Sequence, residues 1–113
     1  MAGTIKRISG PSYLANAAAD IYTPPAATIY TLINHIHIAN VTAGAVTFTL
    51  YIGATGGSAG GTELFKGYSV AANSSYDFYS PTGLKLVSTD FLSGLASAAT
   101  SLTITISGQQ IVV

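Results

Sequence analysis

Cysteine and tryptophan are missing from these 113 residues, and charge nearly so: four basic and four acidic side chains make up 7% of the chain. Without cysteine there is no disulfide framework and no thiolate metal site. A typical soluble domain is about one quarter charged, so this chain must solvate its surface with little help from ions. Its formal net charge is zero, and its four cations, Lys6, Arg7, Lys66 and Lys85, are scattered. That excludes the clustered Lys and Arg that phosphates attract, so no nucleic-acid partner is expected. Long apolar runs are missing too. The most hydrophobic stretch, residues 29–38, is interrupted by Thr31, Asn34, His35 and His37. A spanning helix needs roughly 18 consecutive apolar residues, and a membrane barrel of about eight ten-residue strands would consume nearly the whole chain. No membrane partner is expected. Nor is a signal peptide: Lys6 and Arg7 could begin one and Ala15 to Ala17 could be its cleavage site, but Gly10 and Pro11 break the apolar stretch between them.

The ingredients of catalysis are equally sparse. Asp20, Glu63, Asp77 and Asp90 are isolated in sequence, no Gly-x-Ser-x-Gly elbow is present, and a Ser-His-Asp set could only be assembled by free choice among many serines. The glycine-rich stretch at residues 53–61 lacks the Lys and following Ser or Thr of a phosphate-binding loop, so it reads as a hairpin tip or long inter-strand loop. No catalytic residue and no cofactor are expected. His35 and His37 have the one metal-like spacing, because alternate residues on a strand point the same way. Two histidines are too few for a closed site, so no metal is expected; Asp77 or Glu63 would have to arrive from elsewhere, or a trimer axis gather three copies.

What the chain has in quantity is β-forming residues. In AVTFTLYI, residues 45–52, Val46, Phe48, Leu50 and Ile52 alternate with Thr47, Thr49 and Tyr51, the period-2 signature of a sheet with one buried face. Residues 101–107, SLTITIS, repeat the pattern with Leu102, Ile104 and Ile106 inward and Thr103 and Thr105 outward. Both outward faces carry hydroxyls instead of charges. Further strands are expected at residues 4–8, 19–23, 28–39, 68–72, 75–79, 84–87 and 91–96, with a short one near Leu64. Pro24-Pro25, Asn73-Ser74, Pro81 to Gly83 and Gly108 punctuate them. Gly94 and the Ser/Thr content weigh against a helix in residues 84–99.

The expected fold is therefore all-β: a single-domain antiparallel β-sandwich, jelly-roll-like, of about eight strands. Residues 1–18 are expected to be an N-terminal arm and residues 19–113 the sandwich. Residues 40–44 are expected to turn strand 28–39 back onto strand 45–52 as a hairpin, with Ile38 opposite Val46, Ile36 opposite Phe48, and His35 and His37 beside Thr49 and Thr47 on the outer face. Sandwiches leave edges, and a charge-poor edge is an aggregation hazard unless a neighbour covers it. Seven tyrosines and four phenylalanines suit half-buried sheets and interfaces.

Three segments together carry a resemblance: DIYTPP at residues 20–25, TIYTLINHIHIAN running through TAGAVTFTLYI at residues 28–52, and the closing LTITISG at residues 102–108. This succession resembles small β-sandwich virion proteins of tailed bacteriophages over roughly residues 20–108. The resemblance implies a structural subunit: a capsid decoration or cement protein, or a head-fibre or tail-associated protein, located in the virion and made in the host cytoplasm. Its partners would be its own copies, as a homo-oligomer such as a trimer, and the major capsid or other virion proteins. The contact residues expected from sequence are Ile5, Lys6, Arg7, Tyr13, Leu14, His35, His37, Thr47, Thr49, Tyr51, Ile111, Val112 and Val113. The alternative is a receptor- or carbohydrate-binding module of a phage tail or head fibre, with tyrosines and long loops making the contacts.

Overall fold

A computed structural model describes residues 5–26, 28–54 and 62–112, with Val112 described in its backbone only. The described residues form eight strands: β1 (Lys6–Tyr13), β2 (Ala19–Tyr22), β3 (Thr28–Asn40), β4 (Val46–Gly53), β5 (Glu63–Val70), β6 (Ser75–Val87), β7 (Phe91–Ala96) and β8 (Leu102–Val112). They form two four-stranded sheets, ordered β1-β8-β3-β6 and β2-β7-β4-β5. The antiparallel pairs β1·β8, β2·β7, β3·β6 and β4·β5 nest inside one another. One long hairpin has thus been rolled up until β3 meets β8 and β4 meets β7. This is a jelly roll, the sandwich expected from the alternating strands.

The rolling corrects the expected hairpin. β3 and β4 lie in different sheets, so residues 40–45 carry the chain across the sandwich, and β4–β5 is the one sequential pair joined within a sheet. The faces follow the alternation all the same: Ile36, Ile38, Val46, Phe48 and Leu50 all point inward. The amide of Asn40 replaces the hairpin. It donates through Nδ2 to the carbonyls of Gly44 (2.8 Å) and Val70 (3.0 Å), and its Oδ1 accepts from the backbone N–H (2.9 Å) and the hydroxyl (2.7 Å) of Thr42.

The arm is corrected as well. Residues 6–13 form β1, paired along β8, and Leu14 enters the core at 2% exposure. Near the C-terminus the chain stays in the sheet: β8 continues through Gly108, pairs Val112 with Thr28, and buries Ile111. The glycine-rich stretch at 55–61 and Val113 lie outside the described residues. No helix among the described residues is long and apolar enough to cross a membrane.

Ile33, Ile36, Ile38, Leu86, Leu102, Ile104 and Ile106 of the first sheet face Val46, Phe48, Leu50, Val70, Leu92 and Ala96 of the second. A polar tie crosses this interior. The Tyr22 hydroxyl of β2 lies 2.9 Å from the buried Thr31 hydroxyl of β3 and accepts from Gln110 Nε2 of β8 at 2.9 Å. All three groups are thereby satisfied, as burial of hydroxyls and amides requires.

β3 also holds the irregularity that positions the site below. Thr31 and Ile33 point inward, and strict alternation would send His35 and His37 after them. Instead Asn34 is an extra residue: Ile33 stands opposite Gly108 and His35 opposite Ser107, one residue for two. This β-bulge shifts the phase, so Ile36 and Ile38 are buried while the histidines face out. On the other flank the same bulge is met by residues 80–83, which bow out between Tyr79, opposite His35, and Leu84, opposite Ile33. Asn34 Nδ2 donates to the Ser80 carbonyl at 3.0 Å. Two glycines permit the close approach: a Cβ at Gly108 would collide with the Leu32 carbonyl oxygen, and Gly83, at φ 87°, would bring one to 2.7 Å from Leu32 Cβ.

Candidate functional site

On the outer face of the first sheet, neighbouring strands bring together side chains that are far apart in sequence. His37 of β3 stands directly opposite Asp77 of β6, and His35 opposite Tyr79. A single carboxylate oxygen, Asp77 Oδ1, receives both imidazoles, His35 through Nε2 at 2.8 Å and His37 through Nδ1 at 2.6 Å. The His35 ring is stacked on Tyr79, with centroids 4.5 Å apart and planes 6° from parallel. On the other flank β8 contributes Thr105 opposite His37 and Ser107 opposite His35. The cluster is a half-open polar patch, its three side chains 30–40% exposed.

The hydrogen bonds from His37 and then His35 hold the Asp77 carboxyl below its ordinary value of 3.8, against a smaller opposing effect of desolvation. A carboxyl depressed in the folded state contributes stability above its unfolded value and loses it as pH falls through the folded one. The loss therefore falls below pH 3.8. In a carbon-13 carboxyl titration, we expect the Asp77 midpoint below 3.8, rising more in His37→Ala than in His35→Ala; a wild-type midpoint at or above 3.8 would refute the shared acceptor.

The other residues expected to make contacts are dispersed. Ile5, Lys6, Arg7 and Tyr13 are exposed at or near the β1 edge. Thr47, Thr49 and Tyr51 lie half-buried on the outer face of the opposite sheet, where Thr49 Oγ1 accepts from the Gly67 N–H at 3.0 Å. Leu14 is a core residue at 2% exposure, and Ile111 is buried at 5% near the end of β8, so neither is an exposed contact of the single chain. No single face collects the set. The tyrosines likewise divide: Tyr68 and Tyr76 pack with Phe48 and Phe65, and Tyr22 is tied into the interior, while Tyr13 and Tyr79 project at 55% and 68% exposure. A pocket of about 140 Å³ lies between β1, β2, β7 and β8, lined by Tyr13, Leu14, Asp20 and Gly94 among others. Typical small-molecule sites run to about 300–1,000 Å³.

No protein-family model and no curated protein matches this sequence. Among solved structures, the chain is similar to a protein of Bacillus endospore appendages, described as a novel family of disulfide-linked pili. The identity is 19%, the alignment covers 98% of this chain and 91% of that one, and the TM-score is 0.52. This likeness shows a common fold. Weaker likenesses are to PirA (13% identity, 96% and 93% covered, TM-score 0.46) and to a pentameric capsid protein isolated from metagenomic phage sequences (16%, 90% and 64%, 0.39).

Proposed function

We propose that this chain is a non-enzymatic structural subunit that self-associates and decorates or cements a phage particle. The observation that carries the reading is the makeup of its outer sheet faces. On the first sheet the outward row of β8 is Thr103, Thr105 and Ser107, with Tyr13 next to it on β1 and Tyr79 and Val87 farther across on β6, exposed at 55%, 68% and 42%. The charged groups described on this face are few: Arg7 at one edge, Asp77 held by the histidines, and Lys85 set over the Tyr30 ring at 4.6 Å. Such a face meets water through hydroxyls and still permits another flat surface to pack on it.

The edges favour face packing over strand addition. β2 has four residues, β1 and β5 each break register twice, and β6 bows out at residues 80–83. Short, bulged strands are how sheets avoid edge-to-edge pairing. The endospore appendage protein supports the reading as a relative in fold that is assembled into pili. Disulfide linkage as in those pili is impossible for a chain with no cysteine, so its assembly would rest on non-covalent faces.

Sedimentation velocity tests the assembly. The expected result is a discrete oligomer that Thr103→Lys with Thr105→Lys converts to folded monomer; a wild-type chain that stays monomeric at millimolar concentration would overturn it. Gene neighbours test the location, a major capsid gene alongside being expected and a tail cassette counting against the capsid role.

A further inference from the structure

We infer that His35, His37 and Asp77 form an intrachain binding site for a divalent transition-metal ion of the zinc, copper or nickel class. Nitrogen from two imidazoles and oxygen from one carboxylate make the donor set these borderline ions favour, whereas magnesium and calcium take all-oxygen surroundings. One candidate donor atom from each residue lies within 4.8 Å of the other two. Tetrahedral coordination at about 2.0–2.1 Å places ligand atoms roughly 3.3 Å apart. The nitrogens now sit 2.8 and 2.6 Å from Asp77 Oδ1, so each of these two separations has to open by less than about 1 Å to match that spacing.

Three further features preorganise the site. His35 and His37 are held on one face of a central strand by the Asn34 bulge, not on a loop. Stacking on Tyr79 sets the plane of the His35 ring. Asp77 adds a full negative charge directly opposite His37. Binding would replace the two imidazole contacts to Asp77 Oδ1 by the ion, each ring binding as neutral imidazole with its one N–H on the other ring nitrogen. Three protein ligands on an exposed face leave a fourth position for water, the open arrangement that distinguishes such sites from closed structural ones. The inference does not rest on self-association, although the site shares the outer face of the first sheet with Thr105, opposite His37.

The test uses the whole metal-free chain titrated with zinc chloride by calorimetry and with cobalt chloride by visible absorption. One zinc per chain is expected, with cobalt d–d bands and perturbation of the His35 and His37 imidazole resonances in the wild type. His37→Gln and Asp77→Asn, each verified as folded by circular dichroism, should weaken binding by at least about tenfold, since even residues that only support a ligand cost that much. Absence of saturable binding, imidazole resonances unmoved by zinc, variants binding within twofold of wild type, or one ion shared among two or more chains would each overturn the site.

Discussion

Replacing Phe48 with alanine should lower the free energy of unfolding by about 3–5 kcal/mol, the range for emptying a buried aromatic site. Phe48 is 1% exposed and among the largest fully buried side chains. Its ring contacts Phe65 at 5.7 Å, Tyr68 at 5.5 Å and Tyr76 at 6.1 Å, and Phe65 in turn meets Phe78 edge-on at 5.3 Å. Phe48, Phe65 and Tyr68 belong to the second sheet, Tyr76 and Phe78 to the first. The cluster therefore closes the flank of the sandwich where edge strands β5 and β6 meet, and an alanine leaves a void that rings anchored in two sheets cannot easily fill. Domains of this size have only about 5–15 kcal/mol in hand, so the variant should sit close to the folding threshold. Urea unfolding followed by tyrosine fluorescence measures it. Phe48→Leu, which keeps most of the volume, should cost less than about 1.5 kcal/mol, and Tyr79→Ala, at an exposed site, about 0.5 kcal/mol or less. A Phe48→Ala loss no larger than that of Tyr79→Ala would show that the cluster does not hold the sheets together.

Phe48 was legible in the sequence because period-2 alternation survives rolling: it depends only on which side of a sheet is covered. What alternation does not encode is which strand lies beside which. A short polar turn after residue 39 suits a hairpin and a crossing equally well, and the chain crosses. The same blind spot affected Leu14 and Ile111. Apolar residues near chain ends look adhesive until the ends are known to pair with each other along β1 and β8.

The histidine site was half legible. His-x-His on a strand announces one shared face, but Asp77 becomes their partner only through the long-range register of β3 on β6. Asp77 was in view as a carboxylate that would have to arrive from elsewhere, and nothing local says that it does. The bulge was harder still. Asn34 gave a signal in retrospect: a polar residue between Ile33 and His35 makes two inward-pointing series, Thr31–Ile33 and Ile36–Ile38, that a regular strand cannot reconcile. Two apolar series out of phase in one long strand are the local sign of a bulge.

Asn40 is where the crossing itself can be tested. Asn40→Ala should destabilise the fold by about 2–4 kcal/mol, and Asn40→Asp by more. The side chain is 3% exposed and makes four hydrogen bonds, two from Nδ2 to carbonyls and two accepted by Oδ1. Alanine removes all four. Gly44 and Thr42 lie near the surface, where water can replace the amide, but Val70 is 3% exposed and its carbonyl loses a partner in the interior. An orphaned buried acceptor costs about 1–3 kcal/mol, and the remaining bonds add the smaller net value of exposed ones. Aspartate is nearly isosteric, yet it turns a carboxylate oxygen towards the two carbonyls that Nδ2 now serves. Repulsion and burial of an unpaired charge then add to the loss. Equilibrium urea unfolding at neutral pH gives the ranking, and hydrogen exchange at the Thr42 amide should accelerate more in Asn40→Ala, which removes its acceptor, than in Asn40→Asp, which keeps one. If Asn40→Asp proved milder than Asn40→Ala, the amide would not be donating to Gly44 and Val70, and the strand crossing would have to be held by the backbone bonds of Asn40 to Ser74 and Val41 to Ser101.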